Sequence, residues 1–219
     1  MQQRRIGAHV SMAGGLVAAA QNVIDMGGNA LQIFSGSPKS WARKPFDQNK
    51  ADMFQAFCKE KDFGPTFIHA LYLVNLTADR NDLTQNSING ITFDLKFASQ
   101  IGASGVVVHL GSHLGKGFDA VFDQLIANMK TILDATPKNS TFLIENSAGQ
   151  EGKLCSTFAD IQRVFDALSS YVKAKRLGWC FDTCHGFAAG YDLKAVSQHM
   201  KKFDLLDALQ VIHLNDSRD

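Results

Sequence analysis

Histidine, glutamate and aspartate recur in this chain directly after short apolar runs. His9 follows Ile6-Gly7-Ala8, His69 follows Phe67-Ile68, His109 follows Val106-Val107-Val108, Glu145 follows Phe142-Leu143-Ile144, Asp182 follows Cys180-Phe181, and His213 follows Val211-Ile212. Imidazole nitrogens and carboxylate oxygens are the ordinary ligands of zinc, and a cluster of them in one cleft can hold more than one ion with a carboxylate bridging. His69, His109, Glu145, Asp182 and His213 are too far apart in sequence for any local motif to gather them, so the fold has to do it. His185, three residues after Asp182 in the turn leaving the same run, can reach a neighbouring ion. Any one of these histidines alone reads as an ordinary hydrogen-bonded residue. Their repetition at matching positions is what points to a cluster. His199 lies in a polar helix-like stretch and reads as surface; His113, on a loop, has either a structural role or a contact behind a ligand. His9 is open between a contact behind the ligands, phosphate binding and simple packing.

The elements that would position these groups alternate. Strand-like runs are expected at 6–10, 30–34, 66–69, 105–109, 141–145, 178–182 and 210–214, with segments of helical periodicity between them. Phe118, Val121, Phe122, Leu125, Ile126, Met129, Ile132 and Leu133 line one face of such a helix, and Phe158, Ile161, Val164, Phe165 and Leu168 line another. Strand then helix, repeated, calls for parallel strands joined by crossovers, in a barrel or a doubly wound sheet. The polar residues sit at the C-terminal tips of the strands. A barrel gathers those tips at one mouth, where its catalytic groups collect, whereas an open sheet spreads them along a line. The expected fold is therefore an α/β, TIM-type parallel (β/α) barrel forming one domain over residues 1–219. Seven strand–helix units are visible, where a complete barrel has about eight. Residues 35–45 form an irregular loop at the mouth.

Composition permits this and selects little else. The 219 residues are 45% hydrophobic and 20% charged, with Lys+Arg 22 against Asp+Glu 21, so overall charge draws the chain neither to nucleic acid nor to an anionic membrane. Any attraction to DNA has to be local. The start lacks the apolar stretch of a signal peptide, and no apolar run is long enough to span a bilayer. The four cysteines form no Cys-x-x-Cys pair and read as reduced, buried thiols, giving a cytoplasmic expectation.

The runs IGAHVSMAGGL, HALYLVNLT, VVVHLGSH, LIENSAGQ, CFDTCHGFAAGYDL and HLNDS, in this order, resemble the successive signatures of the endonuclease IV family. The resemblance covers essentially the whole chain, and the segment at 182–192 is its most specific part. It implies a zinc-dependent phosphodiesterase of DNA repair, a barrel holding three zinc ions that incises duplex DNA on the 5′ side of abasic sites by a zinc-activated hydroxide and leaves a 3′-hydroxyl. On that pattern His69 and His109 bind one ion. Glu145, the catalytic residue, bridges it to a second that Asp182 and His213 also hold, and His185 binds the third. Tyr72 and Leu73 match the family's wedge positions against kinked DNA. Lys39 stands where the family commonly has arginine, keeping the charge and losing the flat fork.

Two departures carry expectations. Leu71 and Leu110 replace prolines beside ligands, which would loosen the local backbone without removing a ligand. The family's remaining ligands, an Asp-x-His pair and a Glu, would fall after position 219. At most partial zinc loading, and weak or absent nuclease activity, are therefore expected of this chain alone. Unpaired edges at the first and seventh strands would favour self-association, where the complete enzyme is expected to be a monomer. Two competing readings remain: a metal-dependent sugar isomerase or epimerase on a similar barrel, and a remnant without turnover.

Overall fold

Seven parallel strands lie side by side in chain order in the computed structural model, which describes residues 4–150, 152–172 and 176–216. They are β1 (Gly7–His9), β2 (Ala30–Phe34), β3 (Thr66–His69), β4 (Gly105–Val108), β5 (Phe142–Glu145), β6 (Leu177–Asp182) and β7 (Leu209–His213). Every neighbouring pair is parallel. Parallel neighbours need a return connection, supplied here by α1 (Leu16–Asp25), α2 (Gln48–Glu60), α3 (Asn81–Ile101), α4 (Phe118–Asp134), α5 (Phe158–Ser169) and, between β6 and β7, α6 (Thr183–Ala188) with α7 (Val196–Lys202). All seven expected strands are present, with ends shifted by about one residue. His109 falls just past the end of β4, and β6 begins at Leu177.

The central strands are buried along their whole length because both faces are covered. One face carries Ile33, Ile68, Val106, Val108, Ile144 and Trp179 into the layer beneath the helices. The opposite face joins Phe67, Val107, Leu143 and Cys180, with Val211 against them, in a smaller inner cluster. Period-two alternation of strand side chains produces this division, as in a packed barrel wall. In α4 the expected stripe packs inward through Val121, Leu125, Ile126, Met129, Ile132 and Leu133. Phe118 and Phe122 are covered from outside by Arg163. Asp47 and Thr157 cap the starts of α2 and α5 through their side chains, and α3 stops at Gly102, whose φ of 72° suits glycine.

The sheet curls. Gln32 on β2 meets His213 on β7 at 2.9 Å, although four strands separate those two in the sheet order. This closure brings the strand tips to one mouth. β1 and β7 each pair on one side among the described residues, and Ile6, Ile212 and Leu214 beside them are exposed. No helix of the described residues is long and apolar enough to cross a membrane.

Candidate metal centre

The tip of β5 lies at the middle of the mouth, and Glu145 there is 1% exposed. Its two oxygens face different partners. Oε2 lies 3.1 Å from His69 Nε2 and 3.1 Å from His109 Nε2. Oε1 lies 2.9 Å from His213 Nδ1 and 3.6 Å from His185 Nδ1. Asp182 approaches the second group, 3.8 Å from both His213 and His185. Donor atoms of His69, His109 and Glu145 form one group within 4.8 Å; those of Glu145, Asp182 and His185 form another. A third contains Glu145, Cys180 and His213. All six residues expected as ligands thus meet in one cavity, gathered from β3, the end of β4, β5, β6, the start of α6, and β7.

The surroundings fix how each ring is presented. His69 Nδ1 donates to the Ala70 carbonyl at 2.6 Å, so Nε2 is left for the cavity. His213 Nε2 donates to Gln32 Oε1, which leaves Nδ1 facing Glu145. His185 Nδ1 donates to the Asn146 carbonyl at 3.0 Å. Such contacts behind a ligand set its tautomer and orientation. Asp182 Oδ1 caps α6 by accepting from the His185 backbone at 2.9 Å, so one carboxylate also sets the turn that carries His185. The Asn146 amide pairs with the Asp182 backbone in both directions, at 2.6 and 3.1 Å, and Asn215 donates to Asp182 Oδ2.

This donor set fits divalent cations. His69 and His213 each bond one ring nitrogen to a carbonyl or amide oxygen and turn the other to Glu145, so a cation taking the place of the proton between ring and carboxylate would meet a lone pair on one side and an anionic oxygen on the other. Burial holds the His109 imidazole down to about 4, against the pull of Glu145, so this ring is neutral and ready to coordinate. Burial would raise the Glu145 carboxyl, but hydrogen bonds from His213 and His69 outweigh it and hold it well below the usual range. Burial likewise pushes the Cys180 thiol up, helped by Glu145 and Asp182, and keeps it protonated.

His9 stands behind this centre. Its Nδ1 accepts from Gln32 Nε2 at 3.2 Å and its ring stacks on His69 at 5.8 Å, with burial first, then His69 and His213, bringing it down to about 4. It also lines an open cleft of about 680 Å³ with Ser11, Phe34, Ser37 and Tyr72. His113 is structural: its Nδ1 accepts from Gly117 at the start of α4. His199 lies against the Tyr191 ring, partly covered, outside the centre. Cys155 and Cys180 are buried, whereas Cys58 and Cys184 are only partly so; all four are free thiols. Leu71 and Leu110 are packed in the core at 2% and 0% exposure.

Around the rim, Tyr72 and Leu73 are 59% and 38% exposed. The Tyr72 ring stands edge-on to Phe34 and His69, and its backbone N–H donates to the Pro38 carbonyl at 3.2 Å. Lys39 is exposed on the adjoining loop. The sequence reading missed Gln32, Asn146 and Asn215. Gln32 carried one available signal, a polar residue within the apolar run Leu31-Gln32-Ile33.

Comparison with known proteins agrees with the geometry. A family model described as a xylose isomerase-like TIM barrel matches residues 20–219. Proteins described as probable endonuclease 4 from Halothermothrix orenii and Halobacterium salinarum are 35% and 39% identical, each aligned over 98% of this chain and 78% of its own length. The crystal structure of endonuclease IV from Thermus thermophilus superposes with a TM-score of 0.86 at 31% identity, covering 99% of this chain and 78% of that one. An E. coli 3-keto-D-glucoside 4-epimerase superposes with a TM-score of 0.71 at 15% identity over 98% of this chain and 80% of its own, a likeness of fold alone.

Proposed function

This chain belongs to the endonuclease IV family, and from that premise we propose that it is a zinc-dependent nuclease cutting duplex DNA on the 5′ side of abasic sites to leave a 3′-hydroxyl. The observation that carries the proposal is Glu145, whose oxygens divide the surrounding imidazoles into two groups. A carboxylate so placed would be able to serve two ions, one through each group. His69 and His109 would hold one ion and Asp182 with His213 a second, with His185 reaching a third. Bound zinc supplies Lewis acidity and positive charge at a phosphodiester, and lowers the pKa of water.

The protein's own groups prepare that centre and present the substrate. Gln32, the Ala70 carbonyl and the Asn146 carbonyl hold the imidazoles in their coordinating tautomers. Glu145 stays ionised and contributes charge, not a proton. At the rim, Lys39 offers a cation to backbone phosphate, a contact that positions DNA without reading its sequence. Tyr72 and Leu73 present apolar surface that can enter the gap left by a missing base, and an abasic nucleotide, with no base to unstack, leaves the duplex at low cost. All the proposed ligands lie within one nuclease domain over residues 1–219.

A labelled duplex with one abasic analogue, incubated with the zinc-supplied protein, should be cut once, on the 5′ side, giving an end a polymerase extends. An intact duplex should survive, and chelator should stop the reaction. Equal cutting of both duplexes, or unimpeded cutting in chelator, would refute the proposal; a parallel incubation with ketoses should leave them unchanged.

A further inference from the structure

Arg43 lies on the same irregular loop as Lys39, yet its side chain is only 9% exposed. Its Nη1 donates to the carbonyls of Ser40 at 2.9 Å, Ala42 at 3.1 Å and Ser37 at 3.4 Å, so the loop wraps around its guanidinium. A side chain at Gly36 would stand 3.2 Å from Nη1, which shows how closely the backbone passes. Arg43 Nε lies 3.6 Å from Oδ1 of Asp94, a residue of α3 whose side chain is 1% exposed and which also accepts from the Ser35 hydroxyl. Arg43 Nε and Asp94 Oδ2 make no hydrogen bond, so charge and the surrounding carbonyls hold the pair.

A buried ion pair is weak evidence for stability as such, because desolvation offsets the attraction. Its directional contacts here go to the loop backbone. The three carbonyls bracket Lys39, and the Pro38 carbonyl between them accepts from the Tyr72 N–H. The loop that offers the cation and the turn that offers the wedge are therefore joined, and both are tied to α3.

We infer that Arg43, anchored on Asp94, is a positioning residue for substrate binding, fixing Lys39 and Tyr72 relative to each other so that they meet phosphate and gap together. This deepens the proposed nuclease reading and rests on it for the identity of the ligand. Arg43 touches neither the metal centre nor the exposed rim, so its effect is transmitted through the loop backbone.

The test uses the whole chain and two measurements. Hydrogen exchange is compared at the amides of Ser40, Ala42 and Tyr72 in wild type, Arg43→Met, Arg43→Lys and Asp94→Asn. Binding to labelled duplexes, with and without an abasic analogue, is measured by anisotropy in chelator so that neither is cut. Arg43→Met should exchange at these amides roughly tenfold faster, as expected of a loop released to open locally, with β4 to β6 unchanged. Its preference for the abasic duplex should fall about tenfold, equivalent to about 1.4 kcal/mol. Arg43→Lys keeps the charge opposite Asp94 but lacks the fork, so it should show an intermediate loop effect in a folded protein even where Arg43→Met fails to fold. Unchanged exchange in the Lys variant, or a loosened loop with unchanged preference, overturns the inference. Wild type that binds both duplexes equally would instead sink the nuclease reading, and with it the substrate-positioning role, even where exchange still finds Arg43 ordering the loop.

Discussion

Replacing Glu145 with glutamine tests the shared carboxylate most directly. The substitution keeps the side chain's shape, removes its charge, and puts an NH2 where one oxygen faces either His69 and His109 or His213. Both groups lose the charge they share: the first is left with no carboxylate and the second with Asp182 alone. Removing a mere supporting contact behind a ligand typically costs 10–100-fold in metal affinity, so loss of the shared ligand should cost about 100-fold or more. Free zinc at roughly 100 times the wild-type Kd stabilises a folded chain by about 2.7 kcal/mol. For a chain of this size each kcal/mol moves the melting midpoint by roughly 2–4 °C, so wild type should rise by about 5–11 °C. The same zinc concentration only matches the variant's Kd, leaving about 0.4 kcal/mol, or a shift of about 1 °C. Thermal melts with and without zinc read this out, and His199→Gln, outside the centre, should keep the full shift. An undiminished zinc shift in Glu145→Gln would refute the bridging role.

Gln32→Leu removes the acceptor that sets the His213 tautomer, and chelator competition should show zinc affinity falling roughly 10–100-fold; unchanged affinity would mean His213 needs no such support. Tyr72→Ala, at a largely exposed position, should change stability by less than about 0.5 kcal/mol. Its preference for abasic over intact duplex should fall about tenfold, the scale of one lost stacking contact, and an unaltered preference would remove Tyr72 from the wedge. Burial raises the Cys58 thiol to about 11 from an ordinary 9.0, so at pH 8 its thiolate is about a hundredfold scarcer than that of a free cysteine. Alkylation of Cys58 should be correspondingly slow and climb until pH exceeds about 11, and a plateau near pH 9 would contradict that burial effect.

The expected ligands other than His185 were legible because each ends or directly follows an apolar strand. A parallel strand buried on both faces shows in sequence as an apolar run, and the first polar residue after it sits at the mouth. That logic locates His69, Glu145, Asp182 and His213 and carries over to His109, one residue beyond β4. It fails for Gln32, which lies within its strand: its role depends on the inner face of β2 meeting β7, a property of sheet curvature that local patterning does not encode. Asn146 escaped for a different reason. Next to a ligand it reads as a loop residue, and its amide pairs with the backbone at the tip of the adjoining strand. Arg43 and Asp94 are separated by 51 positions and look like ordinary surface charges until α3 is docked behind the loop.

The Gln32–His213 bond has a consequence for the order of events as the chain folds. Its partners are 181 positions apart, so the contact is non-local and closes late, when loop entropy has already been lost elsewhere. During synthesis the amide emerges far ahead of the imidazole. His69, His109 and Glu145 can assemble on the earlier strands, whereas the half of the centre containing His213 waits until the sheet has wound far enough to bring its ends together. Cation uptake should thus proceed in two stages, the second marking the moment at which the mouth is complete.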